Sequence, residues 1–156
     1  MAYGDPTNEN SVAAAFQHAS SLGFQLFFSF DYAGNGPWPK SEVESLINSY
    51  SGSGAYFHYQ SRPFVSTFEG PDQAEDWIDI EAATGCFCIP DWSSLGAKPA
   101  MTKAGGVADA TSCKDGGTVG NTVSQLQLEF RPWNVASEAI YFTALLVSSA
   151  TIEVTR

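Results

Sequence analysis

A chain of 156 residues, 44% apolar and 13% aromatic, carries enough nonpolar surface for one domain with a core, which excludes a disordered tail or a fibre. Its net charge of −10 and its seven scattered Lys and Arg residues exclude the clustered basic surface that nucleic acid requires. No apolar run reaches the roughly 20 residues of a membrane span. Acidic balance combined with many aromatics suits neutral sugars, whose apolar faces stack on rings while carboxylates take the hydroxyls; it also suits plain solubility.

In chain order, Asn8-Glu9-Asn10-Ser11 opens a first helix. Val12, Ala15, Phe16, Ala19 and Leu22 recur at helical spacing, and Gly23 stops it. The run Phe24 to Phe30 is almost wholly apolar, the pattern of a strand buried on both faces in a parallel sheet. Asp31 follows at once, and a Gly- and Pro-rich loop runs from Tyr32 to Pro39. Ser41 and Glu44 have the spacing of a capping box for a second helix, with Val43, Leu46, Ile47 and Tyr50 as its buried stripe. After an aromatic stretch from Tyr56 to Tyr59, Pro63 to Phe68 reads as a second strand ending in Glu69-Gly70-Pro71. A third helix is predicted over Glu75 to Ala83, with Trp77, Ile80 and Ala83 facing inward. Cys86 to Pro90 is the third strand, ending in Asp91-Trp92.

Strands alternating with helices imply βαβ units on a parallel sheet. Residues 1–99 therefore form an α/β segment of about three βα units, and 100–120 read as a Gly- and Ser-rich loop or linker. In the segment 121–156, Val123 to Phe130 alternates like a half-buried strand, while Ser137 to Arg156 reads as a strand pair or as a helix followed by a strand.

Cys86, Cys88 and Cys113 form neither a CxxC pair nor a zinc pattern. Buried thiols are the leading reading, with a pairing of Cys113 to either of the others left open. His18 and His58 are assigned to the surface or to packing. The N-terminus shows no basic region followed by an apolar stretch, so no signal peptide is visible.

Each strand hands over to its loop through a carboxylate: Asp31, Glu69 and Asp91. In a (β/α) barrel the strand C-termini form the active-site face. Glycosidic bonds are cut by paired carboxyl groups, one protonating the leaving oxygen and the other activating water or attacking carbon. Asp31, in an aromatic setting, is the first candidate for such a role. The competing assignment is a loop-starting Asp that caps a turn.

Three stretches carry a resemblance. They are Ser21 to Asp31 with Gly36-Pro37-Trp38-Pro39, Ala55-Tyr56-Phe57 with Pro63 to Gly70, and Ala83 to Gly96. Together they resemble glycoside hydrolase family 71, the fungal α-1,3-glucanases or mutanases. The resemblance implies a TIM-type (β/α) barrel, here partial, followed by a β-rich region. It implies inverting, endo-type hydrolysis of α-1,3-glucan, without a metal or organic cofactor. It also implies an extracellular site of action on the fungal cell wall and a polysaccharide partner, with no nucleic acid and no membrane. Asp31 matches the family's acidic active-site set, Glu69 and Asp91 match acids lining the cleft, and Trp38 and Trp92 match positions suited to glucosyl stacking.

Two departures stand beside it. The family's first strand is not found ahead of the first helix. Its Asp-x-Gly-Glu-Ser motif, which bears the main catalytic pair, does not occur; Glu129 and Glu138 sit in unrelated contexts. The expectation is a truncated member, inactive as a fragment if that pair is indispensable. The alternative is a non-catalytic glucan-binding or vestigial fragment.

Overall fold

A computed structural model describes residues 1–109. The element order is α1 (Pro6–Leu22), β1 (Phe28–Asp31), α2 (Lys40–Tyr50), β2 (His58–Tyr59), β3 (Arg62–Phe68), α3 (Asp76–Thr84), β4 (Phe87–Asp91) and α4 (Ala97–Ala104). Cys113, Glu129, Glu138, the predicted strand at Val123 to Phe130 and the 121–156 segment lie outside the described residues.

Helix α1 starts earlier than its periodicity suggested, because Asp5 is its N-cap. The Asp5 carboxylate accepts from the Thr7 and Asn8 amides at 2.9 and 3.3 Å, which satisfies donors that an uncapped helix leaves orphaned. Gly23, at φ 74°, ends the helix in the left-handed conformation. Val12, Phe16 and Ala19 are buried as predicted, but Leu22 at the rim of the stripe is 62% exposed. The capping box of the second helix does not form. Pro39 occupies the N-cap of α2 and no side chain caps it, so Ser41 falls inside the first turn rather than before it.

Strand β3 is the middle of the sheet. It pairs in parallel with β1, Phe28 opposite Val65 and Asp31 opposite Phe68. On its other side it pairs in parallel with β4, Val65 opposite Cys88 and Phe68 opposite Asp91. The short β2 adds an antiparallel hairpin at the start of β3, making the sheet mixed. Its two-residue turn, Gln60-Ser61, has positive φ at both positions (49° and 65°), the backbone that a tight hairpin needs. Ahead of α1, Ala2 forms one parallel bridge to Asp31, and the Asp31 amide donates to the Met1 carbonyl at 2.7 Å. A strand-like contact therefore exists where the sequence showed none.

Side chains alternate across this sheet. Phe28, Phe30, Val65, Thr67 and Cys88 share one face, and the helices cover it. Phe16 of α1 lies 5.7 Å from the Phe28 ring, Tyr50 of α2 lies 5.7 Å from the same ring, and Trp77 of α3 lies 6.4 Å from Phe30. Val43, Ile47, Val65, Ile80, Cys86 and Cys88 are fully buried in the same core. Both cysteines are thiols, and burial pushes Cys86 up to about 11 and Cys88 well above its ordinary value. They are packing groups rather than nucleophiles. The opposite face carries Ser29, Asp31, Phe64, Ser66, Phe68, Phe87, Ile89 and Asp91. It is aromatic towards the strand N-termini, where the rings of Phe27 and Phe64 meet at 4.7 Å, and polar towards the C-termini.

Helix α4 corrects the linker reading at 100–104. Ala100 and Ala104 are buried against Trp92 and Ala74, forming a second small cluster. Small residues that match loop composition here pack a helix against the buried indole of Trp92. Among the described residues these elements form an α/β fold with a mixed sheet of four strands.

Candidate active site

The sheet register assembles the candidate site. Asp31, Phe68 and Asp91 lie side by side at the C-terminal ends of β1, β3 and β4, and Glu69 follows Phe68 directly. The ladder continues past the strands: the Tyr32 amide donates to the Phe68 carbonyl at 2.9 Å, and the Glu69 amide to the Asp91 carbonyl at 2.7 Å. All three carboxylates predicted from sequence are thus on one rim, each half-buried.

Their local roles differ. One oxygen of Asp31 accepts from the Ala33 and Gly34 amides at 2.8 and 2.9 Å, an Asx turn that fixes the side chain where the strand ends. A Cβ on Gly34 would come within 2.8 Å of the Ala2 Cβ and 2.9 Å of an Asp31 carboxylate oxygen, so only glycine lets this turn close. The turn-capping and functional readings of Asp31 are both compatible with its geometry: the two amide hydrogen bonds of the turn go to Oδ1, and the Met1 ammonium interacts with the same carboxylate. Asp91 accepts from the Ser93 hydroxyl in the following turn.

Glu69 is held from three sides. Its φ of +58° puts a non-glycine residue in the left-handed region, a conformation costing about 1–2 kcal/mol and kept only where the surroundings over-determine it. The Asp91 carbonyl takes its amide. Its carboxylate accepts from the Ser94 amide at 2.9 Å through Oε1 and from the Ser94 hydroxyl at 2.5 Å through Oε2. The next residue, Gly70, has φ +87° and lies under the Tyr32 ring, where a Cβ would meet ring carbon Cγ at 2.5 Å. Tyr32 itself is buried, and burial raises its phenol far above the usual range.

The two tryptophans are placed differently from their sequence assignment. Trp38 is 2% exposed, packs edge-to-face on Phe30 and Tyr3, and donates through Nε1 to the Met1 carbonyl at 3.1 Å. Trp92 is fully buried. As placed, neither offers a ring face to a sugar; an aromatic beside a strand-end acid has the same sequence signature whether it faces the cleft or the core. Sequence reasoning overlooked Ser94 and Tyr32, although the Ser-Ser pair after Asp91-Trp92 was visible. His18 and His58 are exposed, and His58 Nδ1 lies 3.0 Å from the Tyr56 carbonyl. Among the described residues no group of three or more His, Cys, Asp or Glu could hold a metal ion, and no helix is long and apolar enough to cross a membrane.

A second polar cluster sits at the other end of the sheet. Arg62 donates to the Gly85 carbonyl at 3.1 Å, to the Cys86 carbonyl, and to Asp109 at 2.6 Å. Its guanidinium lies 3.5 Å from Glu81 and 5.2 Å from the centre of the Phe87 ring. Asp109 also closes the outer edge of β4, its amide donating to the Cys88 carbonyl and its carboxylate accepting from the Cys88 amide. Burial, reinforced by Asp109 and opposed by Arg62, pushes the Glu81 carboxyl up to about 7.

Acids gathered at the C-terminal rim of three parallel strands, with helices packed on the opposite face, place this chain in the α/β class. The comparison with known families makes this specific. The family model of glycosyl hydrolase family 71 matches residues 1–112, and the chain belongs to that family. Membership supports a hydrolase acting on a glucan polysaccharide. No curated protein and no solved structure matches the chain.

Proposed function

We propose that the chain acts on α-1,3-glucan, with Asp31, Glu69 and Asp91 forming part of the cleft in which the glycosidic bond is hydrolysed with inversion. The observation that carries this reading is the shared rim of the three acids in a family 71 chain. Neighbouring strands lie about 4.8 Å apart, so Asp31 and Asp91, two strands apart, start about 10 Å apart at the backbone. Asp31 takes an active-site role at the end of β1, while Glu69 and Asp91 bind sugar hydroxyls. An insoluble wall polysaccharide as substrate puts the site of action outside the cell.

A barrel-type arrangement belongs to the same proposal. Helices α1, α2 and α3 all pack on the face bearing Phe28 and Phe30. A singly wound sheet of this kind curls around its uncovered face, whereas a doubly wound one carries helices on both.

The absence of Asp-x-Gly-Glu-Ser from the sequence favours one second reading, glucan binding without cleavage. Incubation of the purified chain with insoluble α-1,3-glucan separates the two. Release of reducing sugar that Asp31→Asn abolishes supports hydrolysis; the amide oxygen of Asn still accepts from Ala33 and Gly34, so the turn survives. Co-sedimentation without release supports binding alone. Release undiminished by Asp31→Asn overturns the role given to Asp31.

A further inference from the structure

We propose that Ser94 is a positioning residue for Glu69, clamping its carboxylate so that the remaining oxygen lone pairs are presented to glucan hydroxyls. The inference rests on the glucan-acting reading above and assigns a role to a loop that the reading leaves unused. Glu69 cannot be aimed by its own strand. Its positive φ turns the chain out of β3 immediately after Phe68, and a glutamate has enough rotatable bonds to sample many positions from a half-exposed site. What removes that freedom is the loop after β4. The Ser94 amide takes Oε1 at 2.9 Å and the Ser94 hydroxyl takes Oε2 at 2.5 Å, so both oxygens are fixed by one residue.

A carboxylate has about four acceptor sites, and two donors leave about two for a ligand. Short hydrogen bonds to an ionised acceptor are among the stronger ones, and they carry no positive charge that would compete for the carboxylate as an arginine would. The backbone supports the same geometry: Glu69 N donates to Asp91 O at 2.7 Å, and Ser94 follows Asp91 within one short turn whose first hydroxyl, on Ser93, is bonded to the Asp91 carboxylate. The rim acids of β3 and β4 are thereby held in register with each other. Pre-organisation of this kind raises affinity by removing the ordering cost at the moment of binding.

The test measures binding of a soluble α-1,3-linked gluco-oligosaccharide to the full chain by calorimetry, with thermal melting in parallel. Ser94→Ala removes the hydroxyl and keeps the amide, and it is expected to weaken binding about three- to tenfold. Ser94→Thr, which keeps the hydroxyl, restores affinity to within about twofold, and Ser94→Ala placed on Glu69→Gln adds less than about twofold to the loss that Glu69→Gln causes. Unchanged affinity in Ser94→Ala, or an equal loss in both backgrounds, overturns the proposal and leaves Ser94 a loop staple that only melting detects. If the unaltered chain binds no oligosaccharide, the glucan-acting reading itself falls and the proposal with it.

Discussion

Glu81→Gln probes the polar cluster of Arg62, Glu81 and Asp109 at the far end of the sheet. In the folded chain the Glu81 carboxyl is carried from its ordinary 4.5 up to about 7, chiefly because burial penalises the charged form; Asp109 adds to the rise and Arg62 opposes it. The raised value means that between pH 4.5 and 7 the folded chain holds a proton that the unfolded chain has released. The favourable contribution of Glu81 is therefore full below about pH 4.5 and is lost as the pH rises through about 7. At 1.36 kcal/mol per pH unit the whole shift amounts to about 3 kcal/mol. The side chain is 25% exposed, so solvent screening reduces this to about 1–2 kcal/mol. Glutamine stays neutral throughout and removes that slope. Urea unfolding at intervals from pH 4.5 to 8 should show the variant gaining about 1–2 kcal/mol on the parent across this range. Parallel stability curves for the two proteins would refute the reasoning.

Gly70→Ala forces a Cβ to 2.5 Å from the Tyr32 ring at φ +87° and should cost about 2–4 kcal/mol in denaturant unfolding. Ile80→Ala, at a fully buried position, should cost about 2–5 kcal/mol. Leu22→Ala, 62% exposed, should stay within about 0.5 kcal/mol of the parent in the same assay. Asp5→Ala removes the α1 cap and should cost about 1 kcal/mol, seen as a lowered melting temperature.

The second and third predicted strands match β3 and β4 to within a residue at each end, whereas the first, read over Phe24 to Phe30, begins only at Phe28 because Phe24 to Phe27 continue the apolar run outside the ladder. Helices α1, α2 and α3 were legible from periodicity, but their rims were not: Leu22 and Ala83 carry the same hydrophobic label as Phe16 and Ile80 yet face solvent. The β2 hairpin escaped notice because its turn uses Gln60 and Ser61 where a two-residue hairpin ordinarily advertises itself with Asn or Gly. Helix α4 was hidden in a stretch whose small residues resemble a linker until Trp92 is seen behind them.

For the site, the residues that end the strands are readable from the chain itself, hence the candidacy of Asp31, Glu69 and Asp91 and the family words around them. Those are local facts, set by apolar runs and the residue that follows each. How the acids are held comes from the packed fold: the register that lines up Asp31, Phe68 and Asp91, the clamp of Ser94 on Glu69, and the burial of Trp38 and Trp92. Each of these joins residues far apart in the chain or depends on which face of an element meets the core. Such pairings are chosen by the free energy of the packed whole, and no window of the sequence contains it.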